Sequence, residues 1–193
     1  MSGWWIPNPR SARGVPIAAT ATAVAVAGWA ATAHQLRRCT RQLAETQRDP
    51  VTGLLTRAAW EHAAARIWCA RSGLAGVIDL DDFKQVNDTY GHQVGDAVLR
   101  VVGHRLTRCL DQVAVLGRLG GDELAFATRT RRGLIQPEAL QAALSAPIHL
   151  GDALTLKVGA SLGISAAPAL PDALAAADAE MYQAKRRTKQ VRS

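Results

Sequence analysis

The feature that most narrows what this chain can become is a four-residue break, Gly120-Gly121-Asp122-Glu123, set between two apolar stretches, Val113–Leu119 and Leu124–Thr128. Two glycines between apolar runs signal a β-hairpin, because the turn requires positive φ that glycine adopts at little cost. The two acids then sit at the hairpin tip. A second acidic group, Asp79-Leu80-Asp81-Asp82, directly follows Ala75-Gly76-Val77-Ile78, a short apolar run that reads as a buried strand over Ala75–Leu80. If the two strands are sheet neighbours, the carboxylates converge at one edge. Convergent carboxylates repel one another unless a hard cation neutralises them. Mg²⁺ suits that task, being commonly held by one or two carboxylates plus substrate phosphates. Two such ions clamp the attacking and leaving oxygens of a phosphoryl transfer. Either acidic group alone would read as a solvated turn.

The rest of the chain alternates helix and strand from Asp49 onward. Apolar spacing predicts helices over Thr56–Arg71, Val94–Leu110, Pro137–Ser145 and Ala173–Arg187, and one long strand over Leu154–Ser165 with Gly159 and Gly163 inside it. That order predicts an α/β sandwich, one mixed sheet flanked by helices. Between the acidic groups, Lys84 is placed to balance phosphate charge, and Asn87 and Asp96 carry groups that read a guanine edge. His92, in a glycine-flanked loop, reads as a capping or packing residue rather than a general base.

The formal net charge of +7 is carried mostly by Arg and Lys at the two ends of the chain. No basic stripe with interleaved aromatics is present, so nucleic acid is not the expected partner. Cys39, Cys69 and Cys109 are odd in number, widely spaced and without a C-x-x-C. They argue against a zinc site or a disulfide framework and fit a reduced compartment.

The segment Val15–Ala33 has no charged residue and the length of a bilayer-crossing helix, roughly 20 residues. Trp4, Trp5 and Trp29 near its ends favour a membrane anchor; Ala31-Thr32-Ala33 resembles a signal-peptide cleavage site; a soluble Ala-rich helix is the third reading. Arg37, Arg38, Arg41 and Arg48 after the segment outnumber Arg10 and Arg13 before it. An anchored chain would therefore place its bulk in the cytoplasm, at the inner membrane, with a wholly cytoplasmic protein as the alternative. The expected organisation is a tail and membrane helix over 1–34, a helical linker over 35–48 with a brief dimeric stalk in it, and one domain over 49–193.

Five motifs together resemble the GGDEF domain family. Asp49-Pro50-Val51-Thr52-Gly53-Leu54-Leu55-Thr56-Arg57 is similar to its D-x-L-T-G-L-x-N-R opening, and Asp79 to Asp96 to its D-x-D-x-F-K-x-x-N-D-x-x-G-H-x-x-G-D block. Gly120-Gly121-Asp122-Glu123-Leu124 resembles the signature, Ala160–Ser165 the late S-x-G strand, and Ala177–Lys185 the last helix. The resemblance implies a mainly antiparallel sheet of the nucleotidyl cyclase and polymerase palm type, and a diguanylate cyclase that joins two GTP as a homodimer. It also implies Mg²⁺ or Mn²⁺, two ions per active site, held by Asp79, Glu123 and the Leu80 carbonyl. Asp122 would bind metal or deprotonate the ribose 3′-OH, Asn87 and Asp96 would bind guanine, and Lys84, Lys185 and Lys189 would contact phosphates. A non-catalytic GGDEF module that binds nucleotide or a protein partner is the competing reading.

The chain departs from the family pattern at four sites. Leu124 replaces the signature Phe, Thr56 an Asn, and Thr188-Lys189-Gln190 a G-R-N ending in which Lys189 keeps the charge without the bidentate fork. The inhibitory R-x-x-D site falls on Asp111 and Ala114, so it is absent in register; Arg108 to Asp111 spells it three residues early.

Overall fold

The structure is a computed structural model that describes residue 29 and residues 34–35, 47–68, 73–110, 114–129, 135–151 and 154–192, with residues 191 and 192 described by backbone alone. The expected membrane segment and most of the expected stalk lie outside the described residues, as do Cys39, Cys69 and Asp111. Among the described residues no helix is long and apolar enough to cross a membrane. The chain divides into two units at Glu45/Thr46, and the fold below is that of the second.

Its elements are β1 (Leu55–Thr56), α1 (Arg57–Ile67), β2 (Leu74–Leu80), α2 (Phe83–Tyr90), α3 (His92–Leu110), β3 (Ala114–Gly120), β4 (Glu123–Thr128), α4 (Pro137–Leu144), β5 (Ile148–Leu150), β6 (Leu154–Leu156), β7 (Ala160–Ser165) and α5 (Leu170–Arg192). Five strands form one sheet in the order β1-β3-β4-β2-β7. Only the β1–β3 pair is parallel; the other neighbours are antiparallel. The expected mixed, mainly antiparallel sheet flanked by helices is therefore present.

Strand alternation sends neighbouring residues to opposite faces, and the core follows it. From β4, Leu124 and Phe126 join Val98, Leu99, Val102 and Leu106 of α3 on one face. Ala125 and Ala127 face the other way, against Trp60 and Ala64 of α1. β2 is buried along its whole length, because α3 covers one face and Val77 meets Ala177 and Met181 of α5 on the other. A strand covered on both sides reads as a continuous apolar run rather than an alternating one.

Small residues let the helices lie close on the α1/α5 face. A Cβ on Gly117 would stand 2.4 Å from the Trp60 ring, whose Nε1 donates to the Val115 carbonyl at 3.0 Å.

Two expectations need correction. The predicted strand Leu154–Ser165 is two strands in different sheets: β6 pairs only with β5, while β7 pairs with β2. The chain between them leaves the ladder, and the Gly159 carbonyl accepts from Asp81 N at 2.9 Å instead. His92 is not in a loop but opens α3, directly after Gly91 (φ +83), which caps the end of α2. The predicted helix from Val94 starts two residues earlier, and a separate helix precedes it.

Candidate active site at the β2–β4 edge

Antiparallel pairing of β2 with β4 puts Asp79 directly opposite Glu123. The turn joining β3 to β4 consists of Gly121 (φ +47) and Asp122, since Gly120 pairs with Glu123; a register shift between Arg118 and Gly120 leaves Leu119 as the bulge. Bulges re-aim a hairpin end. Asp79, Asp122 and Glu123 thus share one end of the sheet, and Asp79 also pairs with Ser161 of β7 on its other side.

The site is over-supplied with negative charge. Burial pushes the Asp79 carboxyl above its ordinary range; the Lys185 hydrogen bond opposes that rise and the Asp122 charge adds to it. For Lys185, burial by itself would lower the ammonium, but its bond to Asp79 and the charges of Asp79, Asp122 and Asp81 win and raise it. Burial is what lifts Asp79, whereas the neighbouring carboxylates are what lift Lys185. Asp81 is tied down within the fold, accepting from the buried Ser161 hydroxyl at 2.7 Å.

Two arginines that carried no role in the sequence reading hold the hairpin tip. Arg118 donates through Nε and Nη2 to the Gly121 carbonyl at 3.0 and 2.7 Å, and through Nη1 to both Asp49 oxygens at 3.0 Å. Asp49 in turn accepts from Thr52 N and Oγ1 at 2.8 and 2.7 Å. Arg57 donates to the Leu119 carbonyl at 2.7 Å and lies 3.6 Å from Glu123. With side chains 55% and 44% exposed, that ion pair contributes little to stability. The signal for both lay in the motifs: Arg57 closes the opening motif and Arg118 stands two residues before the signature.

The Asp49 clamp predicts a pH effect. Burial alone would raise this carboxyl, but the Thr52 hydrogen bonds and Arg118 together hold it below its ordinary value of 3.8. A depressed acid contributes stability that is present above its unfolded-state pKa and lost as pH falls through the folded one. Asp49→Asn is expected to cost about 1–3 kcal/mol at pH 7, with the gap to wild type closing below about pH 4. Urea midpoints at pH 7 and pH 3 test this, and a gap of equal size at both would refute it.

The remaining predicted residues lie on β2, α2, α3 and α5. Lys185, on α5, donates to Asp79 Oδ1 at 2.5 Å, so it rests on a carboxylate rather than on an open phosphate site. Exposed Lys189, one turn further, reaches Asp79 through charge alone. Asn87 of α2 and Asp96 of α3 flank the crossing of the two helices at Gly95, where a Cβ would meet Asn87 Oδ1 at 1.9 Å. Lys84 is exposed on the first turn of α2 and touches none of the acids. Leu80, last in β2, is fully buried. A cleft of about 400 Å³ runs along the outer side of α2 past Asp81, Gln85, Tyr90 and Lys157, and neither Asn87 nor Glu123 lines it.

Among the described residues no three His, Cys, Asp or Glu side chains form a ready-made metal cage. The donor set still fits Mg²⁺, which takes one or two carboxylates and completes its shell with water and substrate phosphates.

Residues 46–191 match the family described as diguanylate cyclase, GGDEF domain. The chain is 44% identical over 176 residues to an uncharacterized 19.3 kDa protein in the repSA 5′ region of Streptomyces ambofaciens, covering 88% of this chain and 93% of that one. It is 39% identical over 166 residues to the diguanylate cyclase DgcP of Escherichia coli K12, covering 79% of this chain and 49% of the relative. It therefore spans about half the length of that cyclase. A solved sensory box/GGDEF family protein from Caulobacter crescentus CB15 superposes with a TM-score of 0.62 at 32% identity, over 73% of this chain and 99% of that one.

Proposed function

Because the chain belongs to the GGDEF diguanylate cyclase family, we propose that it condenses two GTP into cyclic di-GMP and two pyrophosphates as a homodimer, each protomer holding one nucleotide. The observation that carries this reading is the strand register, which sets Asp79 against Glu123 with Asp122 in the adjoining turn. GGDEF cyclases use GTP and divalent metal ions and act as dimers.

Asp79, Glu123 and the Leu80 carbonyl are the groups suited to hold divalent cations, two of Mg²⁺ or Mn²⁺ per site. When bound, these supply charge neutralisation on the phosphates and a lowered pKa for the attacking hydroxyl. Asn87 and Asp96 offer an acceptor and a donor set to the guanine edge from the α2–α3 crossing. Lys84, Lys185 and Lys189 offer positive charge to the phosphates. Asp122, in the turn, takes the ribose 3′-OH proton or helps to hold the metal. The 3′ oxygen then bonds to the α-phosphorus of the second nucleotide while the α–β bridging bond breaks and pyrophosphate departs. Repetition in the opposite sense closes the ring.

The direct test is incubation of the full chain with GTP and Mg²⁺, beside a variant with Asp122→Ala and Glu123→Ala. Wild type is expected to yield cyclic di-GMP and the double variant none. Product from neither sinks the enzyme and favours the nucleotide-binding module. The length of Val15–Ala33 and the tryptophans near its ends support an inner-membrane anchor, and the basic residues after it would then place the domain in the cytoplasm. Cell fractionation should then recover the intact chain with membranes, resistant to high-salt washing; recovery only in the soluble fraction refutes the anchor.

A further inference from the structure

We propose that Lys185 is a resident counter-ion for Asp79 that competes with the divalent cation for this carboxylate, so that the site resists loading metal before nucleotide arrives. The inference rests on the reading of Asp79 as a metal ligand. Its own ground is geometric: the Lys185 ammonium donates to Asp79 Oδ1 at 2.5 Å. A divalent ion on the same oxygen would sit about 2.0–2.1 Å from it, so two like-charged cations would share one carboxylate oxygen and repel each other.

The backbone beneath Lys185 is fixed. Met181, one turn earlier on α5, is buried against Val77, and Glu180 accepts from Ile164 N of β7 at 3.0 Å. The side chain above it retains the freedom of a long flexible stem and is 27% exposed, so solvent borders it. Displacement therefore requires no movement of the fold, only an exchange of one cation for another. Nucleotide phosphates would give the released ammonium a second anionic acceptor, which makes metal and nucleotide mutually favourable ligands by linkage.

The test is Mn²⁺ binding to the full chain without nucleotide, read from the electron paramagnetic resonance of free Mn²⁺. Lys185→Gln is expected to bind Mn²⁺ about tenfold more tightly than wild type, within the usual range of site coupling. Lys189→Gln removes the same charge from a residue that acts on Asp79 only through space, and should change affinity by less than about threefold. Equal tightening in both variants, or none in Lys185→Gln, overturns the competition. Asp79→Asn separates the two layers of inference. Loss of its Mn²⁺ binding keeps the metal assignment whatever Lys185→Gln does, whereas unchanged binding removes that assignment and the counter-ion role with it. Circular dichroism of each variant confirms that the fold is intact.

Discussion

The full chain carrying Asp79→Asn is expected to lose cyclic di-GMP synthesis by about a thousandfold, roughly 4 kcal/mol of transition-state stabilisation, while remaining folded. The substitution keeps the shape and one acceptor oxygen but removes the charge that makes the residue a ligand for a hard cation. Stability should move little. Burial lifts the Asp79 carboxyl above its ordinary range despite Lys185, so the folded state holds the ionised form at a cost that a neutral amide avoids. Against that gain, Lys185 loses its charged partner, but its side chain is partly exposed and long enough to turn to water. Thermal unfolding within about 3 °C of wild type is therefore expected alongside the loss of product. Activity within about tenfold of wild type would remove Asp79 from the chemistry. A variant that fails to fold would instead make the residue structural.

The acids of this site were legible because two strong local signals each placed carboxylates at a strand end: a double glycine between apolar runs, and an apolar run closing in acid. Their meeting was conditional in the sequence and became definite only through the β2–β4 register, a long-range pairing that no local pattern encodes. Helix α2 was missed for a different reason. Phe83, Val86 and Tyr90 stand at helical spacing, but the helix is only eight residues long and Phe83 alone is buried, too short a stretch for periodicity to stand out. The break between β6 and β7 was hidden because both pieces are apolar and adjacent; what separates them is the contact from Asp81 to Gly159, made by a distant part of the chain. The Asp49–Arg118 clamp spans 69 residues, and Lys185 reaches Asp79 across 106. Charge pairs at such separations leave no trace in spacing. Gly163 was visible as an oddity inside a strand, but its reason lay in another element.

That reason makes Gly163→Ala the substitution with the largest expected effect on stability. A Cβ at Gly163 would stand 1.9 Å from the Ala177 carbonyl oxygen and 2.5 Å from the Met181 nitrogen, both backbone atoms of α5. A side chain in the way could rotate; a helix backbone cannot, so α5 must lift from β7. The lifted helix would also loosen the buried contacts of Ala177 and Met181 with Val77. Overpacking of this kind costs about 3 kcal/mol, roughly 6–12 °C in melting temperature for a domain of this size. Gly151→Ala is the informative comparison. It sits at φ +70 with nothing within 4 Å, so its penalty is conformational alone, about 1 kcal/mol. Urea unfolding of the two variants separates steric from conformational cost, and near-equal losses would show that α5 accommodates the methyl group. The same displacement should reach the site, since Lys185 follows Met181 by one turn. Gly163→Ala is thus expected to bind Mn²⁺ more tightly than wild type even as it unfolds more easily, a pairing that simple destabilisation does not produce.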